Sequence, residues 1–246
     1  MVVGGGEAHV ITLLAPPGSL ITGASVSLDA TEAHHLRVRR GDAGESLRLV
    51  DGRGRVGYGV VTLGTHGAHV TLERVEDAPL PARLVLAVGA GDKERFAWLA
   101  EKATELGVTD LVPIESERTV SVASRVRDGT IERIQRRATE ALKQCEGTWA
   151  PKIHGSTPLE RFLQEAPPGR RWVMDQQGEE LPTYVGADAV TCLIGPEGGF
   201  TDLELRACEG AGFSRVTLGG LVLRFETAAV AAAAWVGIAR GRVANG

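Results

Sequence analysis

The sequence has 246 residues, 43% of them hydrophobic, and carries a formal net charge of -4. This length and apolar content can build one large domain or two smaller ones around a real core, which excludes a disordered chain. The net charge excludes a globally basic nucleic-acid binder, although it is compatible with a locally basic face.

Neither the cysteines nor the apolar segments indicate export or a membrane. Cys145, Cys192 and Cys208 have no C-x-x-C spacing, which predicts reduced and mostly buried thiols. Residues 1–14 lack the basic start of a signal peptide, and the apolar run at residues 228–239 is too short to span a bilayer. We therefore expect a cytoplasmic protein without a membrane anchor.

The N-terminal third is predicted to form a small β-barrel. Short strand-like segments, separated by glycine and aspartate turns, lie at residues 10–14, 25–28, 46–50, 55–62 and 68–75. A helix is predicted over residues 31–38, with Thr31 as its cap. His34 and His35 do not indicate a metal site, because adjacent helical residues point to different faces and no partner has ligand spacing.

Arginines are concentrated in the same region, with only Asp42, Glu45 and Asp51 among them. The group comprises Arg37, Arg39, Arg40, Arg48, Arg53 and Arg55. Either they form an ordinary solvated surface, or they contact RNA phosphates.

A polar, proline-bearing stretch at residues 76–81 suits a linker between two domains. We place a boundary there and predict domains at residues 1–78 and 79–246. The second domain alternates strands with helices. Strands are predicted at residues 83–88, 111–114, 171–175, 190–194 and 216–218, and helices at 93–106, 129–144, 201–210 and 227–240.

Near-continuous apolar strands in this order imply an α/β fold with a parallel sheet covered on both faces. Two common nucleotide sites are disfavoured. The turn Gly89-Ala90-Gly91 after the first strand lacks the third glycine of a dinucleotide fingerprint, and the sequence has no Gly-Lys-Ser/Thr P-loop.

Two glycine loops near the C-terminus are the main functional candidates. The first, Gly195-Pro196-Glu197-Gly198-Gly199-Phe200, follows a buried strand and precedes a capping box of Thr201 and Glu204. Its three glycines admit positive φ and a close approach of backbone to a flat, polar ligand. The second, Leu218-Gly219-Gly220, leads towards a long alanine-rich helix. Each is either a tight turn or part of a binding site where the two loops meet.

The two loops also carry a resemblance to a known family. The stretches Ile194-Gly195-Pro196-Glu197-Gly198-Gly199-Phe200-Thr201 and Leu218-Gly219-x-x-x-Leu223-Arg224-x-Glu226-Thr227-Ala228 closely resemble the signature of the RsmE family. These are SPOUT-class methyltransferases that modify N3 of a uridine in small-subunit (16S) ribosomal RNA. The resemblance continues upstream through Lys93-x-x-x-x-Trp98-x-x-x-Lys102-Ala103-Thr104-Glu105-Leu106-Gly107-Val108 and covers most of residues 82–240.

The resemblance implies an N-terminal PUA-like RNA-binding barrel and a SPOUT methyltransferase domain. In that domain a C-terminal trefoil knot holds S-adenosylmethionine, which no periodicity in the sequence reveals. It also implies a homodimer that acts on 16S rRNA or the small ribosomal subunit. The implied cofactor-binding residues are Ile194, Gly195, Pro196, Glu197, Gly198, Gly199, Leu218, Gly219, Leu223, Thr227 and Ala228.

Arg224 and Glu226 are the catalytic candidates. Uracil N3 must lose its proton before it attacks a methyl group, so a base must accept the proton or a cation must stabilise the anion. Arg224 is our candidate for the cation. Glu226 either accepts the proton, or caps the following helix or orients a ligand.

The proposed RNA contacts are arginines from both domains, in stretches with few acids. They are Arg37, Arg40, Arg118, Arg133, Arg136 and Arg137, with Arg125 and Arg127 nearby. The alternative for the second-domain group is a solvated helix face.

The sequence departs from the family pattern in two places. Residues 1–14 contain no arginine, and Gly147 falls at the position of another family arginine. Two alternatives therefore stay open, a SPOUT methyltransferase acting on another RNA and a noncatalytic RNA-binding protein. Helix 227–240 carries small residues that suit either a dimer interface or an intrachain core.

Overall fold

The computed structural model describes residues 10–38, 44–64, 67–89, 91–119 and 128–241. The chain forms two compact units, the first of Met1–Leu80 with Leu142–Trp149, and the second of Pro81–Ala141 with Ala150–Gly246. Sequence predictions made for residues 1–9 and for Arg39, Arg40, Arg125 and Arg127 lie outside the described residues. No helix in the described ranges is long and apolar enough to cross a membrane.

The first unit is built on a five-stranded sheet. Its elements are β1 (Ile11–Leu14), β2 (Ser25–Ser27), α1 (Ala30–Val38), β3 (Ser46–Val50), β4 (Arg55–Gly64) and β5 (Gly67–Asp77). The strand order is β1-β3-β4-β5-β2, and β1 pairs with β3 in parallel while the other pairs are antiparallel. All five predicted strands and the helix are therefore present, and among the described residues β1 and β2 form the two ends of the sheet.

The start of α1 differs from the prediction. Asp29 Oδ1 accepts hydrogen bonds from the backbone N–H groups of Thr31 and Glu32, at 2.8 and 2.9 Å. The helix begins at Ala30, so Thr31 already lies inside it and the prediction that Thr31 caps the helix is wrong. Asp29 satisfies the free N–H groups instead.

The second unit contains a larger sheet with helices. Its elements are β6 (Leu84–Gly89), α2 (Lys93–Glu105), β7 (Asp110–Glu115), α3 (Asp128–Cys145), β8 (Lys152–Ile153), β9 (Thr157–Pro158), α4 (Leu159–Glu165), β10 (Arg170–Glu180), β11 (Val190–Ile194), α5 (Asp202–Gly210), β12 (Ser214–Thr217) and α6 (Phe225–Gly241). The last residues of α3, from Leu142, belong to the first unit. The strand order is β12-β10-β11-β6-β7-β8, with β9 also on β7, and every pairing is parallel.

Both faces of this sheet are covered, as the continuous apolar strands predict. Every residue of β6 and of β11 is buried. Alternate β6 residues face opposite ways: Leu84, Leu86 and Val88 share a core with α2, α3 and α6, whereas Val85 and Ala87 share one with α4 and α5. Because successive strand side chains point to opposite faces, a strand between two helical layers has no solvent side.

Several helix and strand boundaries differ from the predictions. α6 begins at Phe225 rather than residue 227, and β10 continues to Glu180 rather than residue 175. β8, β9 and α4 were not predicted, because two-residue strands and a single short helix carry too little periodicity. The predicted capping box at α5 is confirmed, with Thr201 accepting from the Glu204 N–H and Glu204 accepting from the Thr201 N–H.

A buried polar network holds the end of α3 within the first unit. Lys143 Nζ donates to Glu32 Oε1 at 2.8 Å and lies 2.8 Å from His35 Nδ1. The Glu32 side chain is 3% exposed and also accepts from the Leu14 N–H at 3.2 Å. A buried carboxylate is tolerated when it is paired and hydrogen-bonded in this way.

A second network joins β6, β7 and the segment after β8. Asp110 Oδ1 lies 2.8 Å from His154 Nε2, while Oδ2 accepts from the Thr109 hydroxyl at 2.8 Å and from Arg83 Nε at 3.3 Å. Burial raises the pKa of Asp110, but the hydrogen bonds from His154 and Thr109 and the charge of Arg83 outweigh it and lower the pKa from 3.8 to about 2.

This lowered pKa makes stability depend on pH. Because the carboxylate binds its proton less readily in the folded chain, its stabilising contribution is present above the unfolded pKa and is lost as pH falls from about 4 towards 2. We expect Asp110→Asn to lower the free energy of unfolding at pH 7 by about 2 kcal/mol. Urea unfolding between pH 7 and pH 3 measures this. A gap between wild type and variant that stays constant down to pH 3 would contradict it.

Candidate active site

A cavity of about 220 Å³ opens at the carboxyl ends of β11 and β12, beside the middle of β10, at the edge of an open parallel sheet where ligands usually bind. Most of the residues predicted to bind a cofactor line it, namely Ile194, Gly195, Pro196, Glu197, Gly199, Leu218, Gly219, Leu223 and Ala228. Gly198 and Thr227 are exposed and are not among its lining residues. The two glycine loops therefore meet around one cavity.

The three glycines of the first loop meet different constraints. Gly199 has φ 68°, and its N–H donates to the Pro196 carbonyl at 2.8 Å. A Cβ at Gly195 would lie 3.1 Å from both Gly199 Cα and Phe200 N. A Cβ at Gly198 would meet only the Arg118 side chain, at 3.0 Å. The loop thus requires glycine at positions 195 and 199 far more than at 198.

The second loop is fixed by short polar contacts. Gly219 has φ 127°, and the Thr217 hydroxyl accepts from its N–H at 3.2 Å and donates to its carbonyl at 3.1 Å. The next residues, Leu221 and Val222, line the cavity although each is 81% exposed. They form an apolar rim that a bound molecule can cover.

Sequence reasoning missed the contribution of β10 to the cavity. Met174, Asp175 and Gln176 line it; the first two lie at the end of the predicted strand, and Gln176 lies in the part of β10 beyond it. Asp175 is paired with Arg215 of β12, and Gln176 Nε2 donates to the Gly220 carbonyl at 3.2 Å. Together with Thr217 and Glu197, these side chains supply the polar side-chain groups of a cavity lined elsewhere by apolar side chains and loop backbone. No short motif signalled them.

Arg224 lies directly before α6, between the cavity-lining residues Leu223 and Phe225. Its carbonyl accepts the Ala228 N–H at 2.9 Å, and its side chain is exposed. Within the described part of the chain, no acid forms an ion pair with its guanidinium. The backbone of Arg224 is therefore held at the start of α6, while its guanidinium has no acidic partner among the described residues.

Glu226 lies in the first turn of α6 and its side chain is 12% exposed. Its Oε2 is buried without a hydrogen-bond partner among the described residues, and Arg95 Nη1 lies 3.9 Å from its Oε1. Its place in the first turn of α6 is compatible with capping through the helix dipole, while its carboxylate faces Arg95, so both roles of Glu226 stay predictions. Arg95 lies within the family motif from Lys93 to Trp98, but the sequence alone did not indicate its contact with Glu226.

The predicted RNA-contacting arginines are less free than the sequence suggests. Arg133 pairs with Glu94 at 2.7 Å, and Arg137 with Glu101 at 3.1 Å. Acids of α2 thus offset two of the three arginines on α3. Arg136 is exposed and has no ionic partner in the ranges that the structure describes.

Arg118 and Arg37 occupy different settings. Arg118 Nη1 donates to the Gly198 carbonyl, so its guanidinium braces the first glycine loop. Arg37 is exposed on α1, where its Nε donates to the Ala33 carbonyl at 3.2 Å. In the first unit, Arg48 Nη2 donates to the carbonyls of Glu146 and Gly147, at 2.9 and 3.3 Å. Arg48 thus brings a guanidinium to the backbone of Gly147, where the sequence lacks the family arginine.

Comparisons with known proteins agree with this geometry. A family model described as an RNA methyltransferase domain matches residues 78–237. The ribosomal RNA small subunit methyltransferase E of Synechocystis sp. is 31% identical, over 91% of this chain and 76% of that protein. The protein of that name from Mycobacterium tuberculosis is also 31% identical, over 90% of this chain and 89% of that protein.

Solved structures extend the likeness over nearly the whole chain. A ribosomal RNA small subunit methyltransferase E from Neisseria gonorrhoeae, bound to S-adenosyl methionine, is 28% identical with a TM-score of 0.80, and covers 92% of this chain and 96% of that one. A probable rRNA-methyltransferase from Porphyromonas gingivalis is 30% identical with a TM-score of 0.81, and covers 95% of this chain and 100% of that one. The predicted α/β fold with a parallel sheet is confirmed as the fold of SPOUT-type methyltransferases. The chain belongs to the RNA methyltransferase domain family and, within it, to the ribosomal RNA small subunit methyltransferase E family.

Proposed function

We propose that this chain transfers a methyl group from S-adenosylmethionine to N3 of a uridine in 16S ribosomal RNA. The observation that carries the proposal is the meeting of both glycine loops and the start of α6 around one cavity at the carboxyl edge of the sheet. Family membership supports it, because relatives carry the name of this activity and one was solved with the cofactor.

The cavity fits S-adenosylmethionine in its chemistry. The backbone of Gly195 and Gly199 offers polar groups without side chains in the way, and Ile194 and Leu223 offer apolar surface for an adenine ring. The carboxylate of Asp175, like the Thr217 hydroxyl, is an acceptor for ribose hydroxyls or an amino group. When bound, the cofactor supplies a methyl group activated by its sulfonium, so the chain needs mainly to align the reactants and exclude water.

The remaining task is to remove the proton from uracil N3. Arg224 would donate hydrogen bonds to the uracil oxygens on which negative charge develops, which lowers the barrier to proton loss. Glu226 has a buried carboxylate oxygen without a partner among the described residues, which suits an acceptor for that proton. Leu221 and Val222 would cover bound reactants at the cavity rim.

We further infer the finer architecture of the family for this chain. The first unit would serve as the PUA-like RNA-binding barrel, with Arg37 and Arg40 as its candidate RNA-contacting residues. The segment leading into α6 would thread a trefoil knot, as family membership implies. Action on the small ribosomal subunit would require the protein to be in the cytoplasm.

We also infer a homodimer through the outer face of α6. Ala229, Ala233 and Val236 are buried inside the unit, so this face packs within the chain and leaves the opposite face for a partner. The opposite face exposes Thr227 and Ile238, the latter 54% exposed. We expect light scattering to report twice the mass of one chain for the wild type and one chain for Ile238→Asp. Wild-type particles of a single chain would rule out this interface.

The proposed activity is tested by supplying labelled S-adenosylmethionine and small subunits that lack the modification, then mapping the methylated base. Label at N3 of one uridine in 16S rRNA is expected. Methylation of a different RNA would assign another substrate to the same site. Retained RNA binding without cofactor binding or label would identify a noncatalytic RNA-binding protein.

A further inference from the structure

One guanidinium stands beside two carboxylates at the edge of the cavity. Arg95 Nη1 lies 3.9 Å from Glu197 Oε1 and 3.9 Å from Glu226 Oε1. Glu197 belongs to the first glycine loop and lines the cavity, whereas Glu226 lies in α6 between the lining residues Phe225 and Ala228. Arg95 therefore contacts both segments that the proposed cofactor must bring together.

The position of Arg95 is set by a well-capped helix. Asp92 Oδ1 accepts hydrogen bonds from the backbone N–H groups of Glu94 and Arg95, at 3.0 and 2.8 Å. The next residue, Phe96, is fully buried against the sheet. The cap and this anchor fix the first turn of α2, so the guanidinium starts from a rigid backbone.

The two carboxylates depend on this cation. The Oε1 atoms of Glu197 and Glu226 each lie 3.9 Å from Arg95 Nη1, so these two oxygens are no farther apart than twice that distance. Without Arg95, two negative charges would lie within that distance of each other without the cation that both approach, one on the exposed Glu197 and one on Glu226, which is 12% exposed. Glu226 is the more dependent of the two, because its second oxygen is buried without a hydrogen-bond partner within the described ranges.

We propose that Arg95 is a positioning residue, which holds Glu197 and Glu226 together and thereby joins the first glycine loop to the start of α6 around the cofactor. This role rests on the proposed function, since it concerns the same cavity. Arg95 touches neither reacting atom. Its loss acts through repulsion, which displaces Glu197 and the loop residues that line the cavity.

The test measures affinity for S-adenosylhomocysteine by calorimetric titration. This ligand lacks the sulfonium charge, so a change in net charge at the site does not act on it directly through that group. We expect Arg95→Met to weaken binding about tenfold and Arg95→Lys, which keeps the charge, to stay within about threefold of wild type. Lys102→Met is the matched control, because Lys102 is a cation of the same helix that pairs with Glu105 instead, at 2.7 Å.

A double variant separates repulsion from simple loss of packing. In Arg95→Met combined with Glu226→Gln, one of the facing charges is gone, so we expect affinity to recover most of the loss seen in Arg95→Met. Thermal unfolding of every variant checks that the chain folds. Wild-type affinity in Arg95→Met, or a double variant that binds as weakly as Arg95→Met, would overturn the role of Arg95 and leave the proposed function standing. Failure of the wild type to bind would overturn the proposed function and this role with it.

Discussion

Gly199→Val is expected to weaken S-adenosylhomocysteine binding by more than a hundredfold while the chain stays folded. Gly199 lines the cavity with φ 68°, a conformation that costs a branched side chain about 1–3 kcal/mol. Relief of that strain moves the loop, and the added side chain enters the site. Gly195→Val is expected to act as strongly, because its Cβ would press on the backbone of Gly199 and Phe200 at 3.1 Å.

Gly198→Ala is the control within the same loop. Gly198 is not a lining residue, and an added Cβ meets only the flexible Arg118 side chain, so we expect affinity within about threefold of wild type. Calorimetric titration of all three variants, with thermal unfolding alongside, makes the comparison. Unchanged affinity in the Gly195 and Gly199 variants would show that the loop is only a turn.

Arg224→Ala is expected to bind S-adenosylmethionine normally and to lose at least a hundredfold in single-turnover methyl transfer. Its guanidinium acts on an anion that develops on uracil only during the reaction, and removal of one such donor costs about 10²–10³ in rate. The Arg224 carbonyl accepts a hydrogen bond from the Ala228 N–H at the start of α6. Alanine at position 224 keeps this backbone hydrogen bond. The expected loss is therefore chemical rather than structural.

Arg136→Ala provides the contrasting variant. Arg136 is exposed on α3 and would act only through phosphate charge, so its removal should lower the slope of log affinity against log salt by about one. Low salt and excess RNA should restore its rate and should not restore that of Arg224→Ala. Single-turnover rates at saturating RNA and cofactor decide. A wild-type rate for Arg224→Ala would show that its guanidinium does not stabilise the uracil anion.

The sequence by itself determined the features that depend on local burial and local backbone. The near-continuous apolar runs of β6 and β11 predict strands buried on both faces, because neither run alternates regularly between apolar and polar residues. The pair Thr201 and Glu204 predicts the start of α5, since both partners of the cap lie within one turn. The motifs around the two glycine loops likewise indicate the family and most of the cavity lining.

Only the tertiary structure decided which distant charges meet. Arg95 reaches Glu197 and Glu226 because β6 lies beside β11 in the sheet, and strand order is not encoded in the periodicity of any single strand. The charges along α3 likewise could not show that Arg133 pairs with Glu94, because Glu94 lies on a different helix, α2. A local sequence pattern indicates which helix or strand a residue belongs to and which face it lies on. A functional site also depends on residues from distant segments, which the connections between strands bring together.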